Sequence, residues 1–318
     1  MRLACLGSRT VSQVNWTDLP LARATADRTA DRRGRPGLVP DLLGEQTTRI
    51  VLVHAGLVAT AADGAVALDL LAPSSVLRDG MSAHDWLYLG SDGATSYLGL
   101  MLTDQTGAAD LVASRQWSQL RRIGANLGAR DAGLATTAIA LAAWHESHPR
   151  CSRCGEPTEV VAAGWVRHCP ADGSEHYPRT DPAVIMAVVD DDDRLLLGHA
   201  APWPEHRFST LAGYVEPGEG IEQAVRREVG EEVAVIVGDV SYRGSQPWPF
   251  PASLMLAFRA HALTTQITVD GIEVTEARWF TRTELADQVA SGAVLMPMRA
   301  SIARVLIEEW FGAELPGD

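Results

Sequence analysis

The sequence predicts an α/β protein built from more than one domain. Three observations carry this. Residues 183–200, "AVIMAVVDDDDRLLLGHA", are two apolar runs joined by an acidic turn, and an acidic helical stretch and a further strand follow. Three of the four cysteines cluster in a short insert ahead of that hairpin. Before the insert, β-type runs give way to an alanine-rich helical stretch. A chain of 318 residues with 46% apolar content has enough material for two or three cores.

Taken in order, residues 1 to about 45 are rich in Arg, Asp, Thr and Gly. Their arginine run, "ARATADRTADRRGRPG", reads as a solvated loop. From residue 48 the runs "RIVLVHAGLVAT", "AVALDLLA" and "WLYLGSDGATSYLGLML" read as strands punctuated by Gly and Asp. "SQLRRIGANLGARDAGLATTAIALAAWHES" reads as helix, ending near His148-Pro149. Residues 1–147 are therefore expected to form an α+β domain with a structural or dimerisation role. Residues 148–180 form the cysteine insert and 181–318 the last domain, in which "MLAFRAHAL" is a strand and "SIARVLIEEWF" a late helix.

Charge and composition narrow the function. The formal net charge is -13, which argues against sequence-blind binding to nucleic acid over the whole surface. There is no lysine among the 27 basic residues, so Walker A and Schiff-base chemistry are out. No apolar run reaches membrane-spanning length and the first residues lack a signal-peptide pattern. Cys5, Cys151, Cys154 and Cys169 do not make a disulfide scaffold in a chain this long. The expectation is a metal site in a reducing cytoplasm, without a membrane partner.

Cys151-Ser-Arg-Cys154 is a C-x-x-C pair, and the second knuckle reads Cys169-Pro-Ala-Asp172. Two such knuckles close a tetrahedron around structural Zn²⁺, with Asp172 where a fourth thiolate would stand. His168 and His176 are nearby alternatives for that place, and a redox pair or a ribbon without metal are the competing readings.

The acidic stretch "GYVEPGEGIEQAVRREVGEEVAV", residues 213–235, sets Glu216, Glu219, Glu222, Glu228, Glu231 and Glu232 against Arg226 and Arg227. On a helix Glu228 meets Glu231 at i+3 and Glu232 at i+4. Such a face repels itself unless a divalent cation lies among the carboxylates, and hard oxygen donors suit Mg²⁺ or Mn²⁺. The pattern G-x5-E-x7-R-E-U-x-E-E-x-G-U, U being a bulky apolar residue, is met at Gly213, Glu219, Arg227, Glu228, Val229, Glu231, Glu232 and Val235, with Ala234 in place of the last glycine. The stretch resembles the Nudix box. The resemblance implies an α/β/α sandwich and hydrolysis of a substituted diphosphate. It implies catalytic metal on Glu228, Glu231 and Glu232, one of the last two also handling the attacking water. Arg227 is expected to orient a glutamate through a salt bridge.

Residues 245–251, "SQPWPFP", resemble the signature of the NADH pyrophosphatases within that family, as do the preceding ribbon and N-terminal domain. This implies hydrolysis of NAD(H) to NMN(H) and AMP, removal of NAD caps from RNA 5′ ends, and a homodimer. It places Tyr214, Tyr177, Gln246, Trp248, Phe250 and Ala303 at the substrate, and Glu273 as a further metal ligand with Glu276 its weaker neighbour. An aromatic face can hold a flat, cationic nicotinamide by stacking. The rival functions are hydrolysis of another nucleoside diphosphate such as ADP-ribose, and a catalytically inactive NAD sensor.

Overall fold

The computed structural model describes residues 14–62 and 66–317; Cys5 lies outside them. Its contacts divide the chain into two compact units. One takes in the described residues up to Pro20 with 181–246 and 254–318; the other takes in 21–180 and 247–253. The ribbon segment thus clusters with the preceding residues.

In the unit of 21–180, five strands are ordered β3-β4-β1-β2-β5. They are β1 (Arg49–His54), β2 (Leu57–Thr60), β3 (Trp86–Asp92), β4 (Thr95–Leu102) and β5 (Gln116–Ser118). β1 and β4 run parallel, and the other neighbours are antiparallel. Short helices α1 (Leu38–Leu43), α2 (Pro73–Val76), α3 (Ala109–Ala113) and α4 (Leu120–Ile123) precede the long α5 (Ala129–Ser147). β1 is apolar and buried from Ile50 to Val53 because both its faces are covered. Val51 and Val53 join Leu134, Ala138 and Leu141 of α5 in one core, while Ile50 and Leu52 join Leu38 and Leu42 of α1 in another. The run "AVALDLLA" makes only isolated bridges through Leu68 and Leu71, and residues 63–65 lie outside the described part.

The ribbon is a three-stranded sheet of β6 (Glu159–Val161), β7 (Val166–His168) and β8 (Glu175–His176). His145, near the end of α5, is buried in this region. It faces the Gly164 carbonyl at 2.9 Å through Nε2 and the Arg167 guanidinium at 2.9 Å through Nδ1. An arginine donates only, so Nδ1 accepts and Nε2 carries the proton. Burial, with Arg167 and His84 adding to it, holds this imidazole down at about 4.

The other unit is built on a six-stranded sheet. Its strands are β9 (Asp181–Val189), β10 (Leu195–Ala200), β11 (Leu211–Tyr214), β12 (Val237–Trp248), β13 (Ser253–Ala262) and β14 (Val274–Phe280). The order is β12-β13-β9-β10-β14, with β11 paired to β9. β9 and β10 are the expected hairpin, with Leu195 opposite Val189. Helices α6 (Ile221–Val233), α7 (Arg282–Ser291) and α8 (Ile302–Phe311) complete it. Ala224, Val225, Val229 and Val233 of α6 pack on Val184, Met186 and Val188 of β9. Strand alternation sends Ile185 and Ala187, also buried, to the opposite face, and α8 packs on the same strand. Among the described residues no helix is long and apolar enough to cross a membrane.

Candidate active site and metal centres

The buried valines of α6 fix which residues face elsewhere. Glu228 and Glu232 sit beside that apolar stripe and are themselves buried, at 8% and 7% exposure, whereas the Glu231 side chain is 61% exposed. The face is therefore graded: two carboxylates are withdrawn from water and one remains in it.

Arg227 organises the group. Its Nε and Nη2 donate to both oxygens of Glu219, each at 2.8 Å. Its Nη1 donates to Glu228 and to Glu231, each at 2.9 Å, and Nη2 also donates to the Tyr214 carbonyl at 2.9 Å. The Arg227 hydrogen bond holds the Glu219 carboxyl below the ordinary glutamate range. The expected orienting salt bridge is thus a fork joining three glutamates to the end of β11. Gly213, on β11 opposite Val184, leaves the space that Glu228 fills. A Cβ there would lie 1.9 Å from the Glu228 carboxyl carbon and 2.1 Å from both its oxygens.

Glu232 has no such partner. Its Oε2 is buried and unbonded. Burial first, then the charges of Glu228, Glu273, Asp270 and Glu231, push its carboxyl up to about 8. Burial also raises Glu228, and Glu231 and Glu273 add to it against the opposing effect of Arg227. An orphaned buried carboxylate oxygen within the field of four other acids fits a divalent cation held by oxygen donors. A cation there would reverse the repulsion that raises both groups.

Glu273 lies in the exposed turn before β14, and its charge reaches Glu232 and Glu228. Glu276 is ion-paired with Arg278 at 3.0 Å. Sequence reasoning missed Asp270. Its backbone N–H donates to the Glu232 carbonyl at 3.1 Å, and its carboxylate accepts from the N–H groups of Glu273 and Val274 at 3.0 and 2.9 Å. It sets the Glu273 turn against the end of α6. The Asp270-Gly271 pair, a turn dipeptide, was the available signal.

Tyr214 and Tyr177 are exposed, at 53% and 64%, so neither is a core-packing residue. Tyr177 donates its hydroxyl to Glu175 at 2.6 Å. Trp248 and Phe250, in edge-to-face contact at 5.0 Å, pack against the core of the unit containing α5. Gln246 and Ala303 both lie at the segment that enters α8. Gln246 is wholly buried and donates Nε2 to the Ala300 carbonyl at 2.9 Å, which ties down the loop entering α8. Ala303 is buried and its N–H donates to the Ser301 hydroxyl at 3.2 Å, the helix cap.

In the ribbon, one ligand atom from each of Cys151, Cys154, Cys169 and Asp172 lies within 4.8 Å of the others. The Cys154 and Cys169 sulfurs are 3.5 Å apart, and Cys151 Sγ is 3.5 Å from Asp172 Oδ2. The two knuckles are built alike. The N–H of Gly155 donates to the Cys151 carbonyl, and that of Gly173 to the Cys169 carbonyl, at 3.0 and 2.9 Å. Both glycines have positive φ, +80° and +72°. Asp172 therefore stands where the first knuckle places its second thiolate. Ser174 donates N–H and O–H to Asp172 Oδ1 at 2.9 and 2.5 Å, holding this carboxyl well below the usual range and leaving Oδ2 to the thiols. His176 bonds to Ser174 at 3.2 Å and stands outside the four. The donor set fits a closed tetrahedral zinc site.

Residues 179–298 match the NUDIX domain and residues 146–177 the NADH pyrophosphatase zinc ribbon domain. The NAD-capped RNA hydrolase NudC of Mycobacterium bovis (strain BCG / Pasteur 1173P2) is 44% identical over 206 residues, 61% of this chain and 65% of that protein. The NAD-capped RNA hydrolase NUDT12 of Homo sapiens is 42% identical over 193 residues, 57% of this chain and 42% of that one. The matched part thus spans less than two thirds of the length of these curated relatives. A solved structure of a NUDIX hydrolase from Nitrosomonas europaea is similar over 52% of this chain and 94% of that one, at 23% identity and a TM-score of 0.38.

Proposed function

We propose that this chain, which carries a Nudix domain behind an NADH pyrophosphatase zinc ribbon, is a divalent-metal-dependent pyrophosphatase. It hydrolyses NAD(H) to NMN(H) and AMP and removes the NAD cap from RNA 5′ ends. The observation that carries this reading is the buried, unbonded Glu232 oxygen set among Glu228, Glu231 and Glu273. The signature 245–251 and the relatives named above direct it to a dinucleotide carrying nicotinamide rather than to ADP-ribose.

Glu228, Glu231, Glu232 and Glu273 would hold Mg²⁺ or Mn²⁺. Such ions neutralise a diphosphate and make a bound water acidic enough to attack. The chain's own residues do the positioning. Arg227 holds Glu228 and Glu231 in place, and Gly213 gives Glu228 its room. Glu231 or Glu232 would also accept the proton of the attacking water. Tyr214 offers an exposed ring for stacking on nicotinamide, and Tyr177, also exposed, would close the nicotinamide pocket of the partner subunit. Gln246, tied to the Ala300 carbonyl, and the backbone at Ala303 would meet the substrate at the start of α8. Cys151, Cys154, Cys169 and Asp172 hold structural Zn²⁺ in a reducing cytoplasm, and the working form is a homodimer. Identification of the products released from NADH, by the wild type and by box variants, tests the reading.

A further inference from the structure

Three arginines of the segment read as a solvated loop are built into a fixed platform. Asp27 and Ser91 exchange both backbone hydrogen bonds at 2.8 Å, pinning the segment to β3. Gly90 permits the approach: its φ is +121°, and a Cβ there would lie 2.3 Å from the Asp27 carbonyl oxygen. Thr29 and Tyr88 hydroxyls are hydrogen-bonded at 2.5 Å, and Trp165 Nε1 donates to the Tyr88 carbonyl at 2.7 Å. On these two rings lie the guanidiniums. Arg33 is 3.5 Å and Arg28 5.8 Å from the Trp165 centroid, and Arg32 is 5.6 Å from that of Tyr88.

No acid partners the three. Among the described residues none is ion-paired, Arg28 and Arg33 make no hydrogen bond, and Arg33 Nε is buried without a partner. Elsewhere in the same unit Arg35 pairs with Asp41, Arg78 with Asp110, Arg115 with Asp69 and Arg130 with Asp131. Acidic residues outnumber basic ones 40 to 27, so acid was not scarce. The neighbouring Asp27 is engaged by the Thr29 N–H at 2.9 Å, and Asp31 is exposed. Like charges held together without a counter-charge are a site for an anion, and planar guanidinium forks match phosphate oxygens.

We propose that Arg28, Arg32 and Arg33 bind the phosphate backbone of the RNA that follows the cap. This rests on the reading of NAD-capped RNA as a substrate. With Arg33 lying over the Trp165 face, the platform reads charge and not bases, so it has no sequence preference. Three phosphate contacts to a single strand contribute a salt slope of about -2 in log–log terms. Between 50 and 200 mM salt that is roughly a 20-fold loss of affinity.

The test is fluorescence anisotropy with an uncapped, single-stranded RNA oligonucleotide, run beside NADH hydrolysis. The proteins are wild type, Arg28→Glu, and the triple variant Arg28→Gln, Arg32→Gln, Arg33→Gln. Arg28 is exposed, so its charge reversal leaves the fold intact. The expected result is at least fivefold weaker RNA binding by Arg28→Glu, a salt slope smaller by about 2 in the triple variant, and unchanged NADH hydrolysis. Unchanged RNA binding by Arg28→Glu, or no RNA binding by the wild type, overturns the proposal. So does equally tight binding of polyglutamate, which would point to an acidic protein. Because the probe has no cap, the binding result stands even if NADH proves not to be a substrate.

Discussion

Gly213→Ala is the substitution the active-site geometry constrains most. The added methyl would lie 1.9 Å from the Glu228 carboxyl carbon, where nonbonded carbons settle at about 3.5 Å. The carboxylate must therefore retreat by about 1.5 Å. It cannot do so alone, because Arg227 Nη1 ties it to Glu231 and the rest of the guanidinium ties both to Glu219. A displacement of about 1 Å in a catalytic constellation can cost about 100-fold. We expect kcat to fall by roughly 100-fold or more and the Mn²⁺ concentration for half-maximal rate to rise. The strand backbone itself tolerates alanine, since Gly213 pairs with Val184 in ordinary register, so any fall in the melting temperature reports the same clash with Glu228, about 1–3 kcal/mol for an overpacked site. The assay is initial NADH hydrolysis across a Mn²⁺ titration, with a melting curve alongside. A Gly213→Ala enzyme within about fivefold of wild type at all Mn²⁺ concentrations, far short of the loss expected from misplacement, would refute the idea that the Glu228 position is fixed by this contact.

Two further outcomes follow from the fold. Ala234, the C-cap of α6, sits in the left-handed region at φ 58° and ψ 20°, which costs a residue with a Cβ about 1 kcal/mol. Ala234→Gly should therefore raise the melting temperature by about 2–4 °C, and no rise in a melting curve would count against it. His145 is held neutral, with a folded value of about 4 against an ordinary 6.5. Its depressed value means the unfolded chain binds the proton first, so stability is full above pH 6.5 and is lost as pH falls toward 4, by about 3 kcal/mol. Urea unfolding between pH 7 and 4.5 should show a shallower decline for His145→Gln than for wild type, and parallel curves would contradict the assignment.

Much of the site was legible because its constraint is local. Glu228, Glu231 and Glu232 fall together through the helix period, and Cys151, Cys154, Cys169 and Asp172 through two knuckles of the same length. The β9–β10 hairpin was legible for the same reason, two apolar runs about a short acidic turn. What sequence could not supply was non-local. The parallel pairing of β1 with β4 joins residues more than forty positions apart, for example Arg49 with Tyr97. Asp270 gains its role only because its turn meets the end of α6. Nor could sequence show that Gln246 reaches the Ala300 carbonyl, more than fifty positions away. The arginines of 28–33 looked solvated because stacking on Trp165 and Tyr88 leaves no periodic trace.

The measurement that tests the central claim most directly is chromatographic product analysis after incubation with NADH and Mn²⁺, with Glu231→Gln and Glu232→Gln alongside. The account predicts NMNH and AMP from the wild type. It predicts a strong loss in both variants, deeper for the buried Glu232 than for the exposed Glu231. Binding of NADH without release of either product would contradict it and make the chain a sensor.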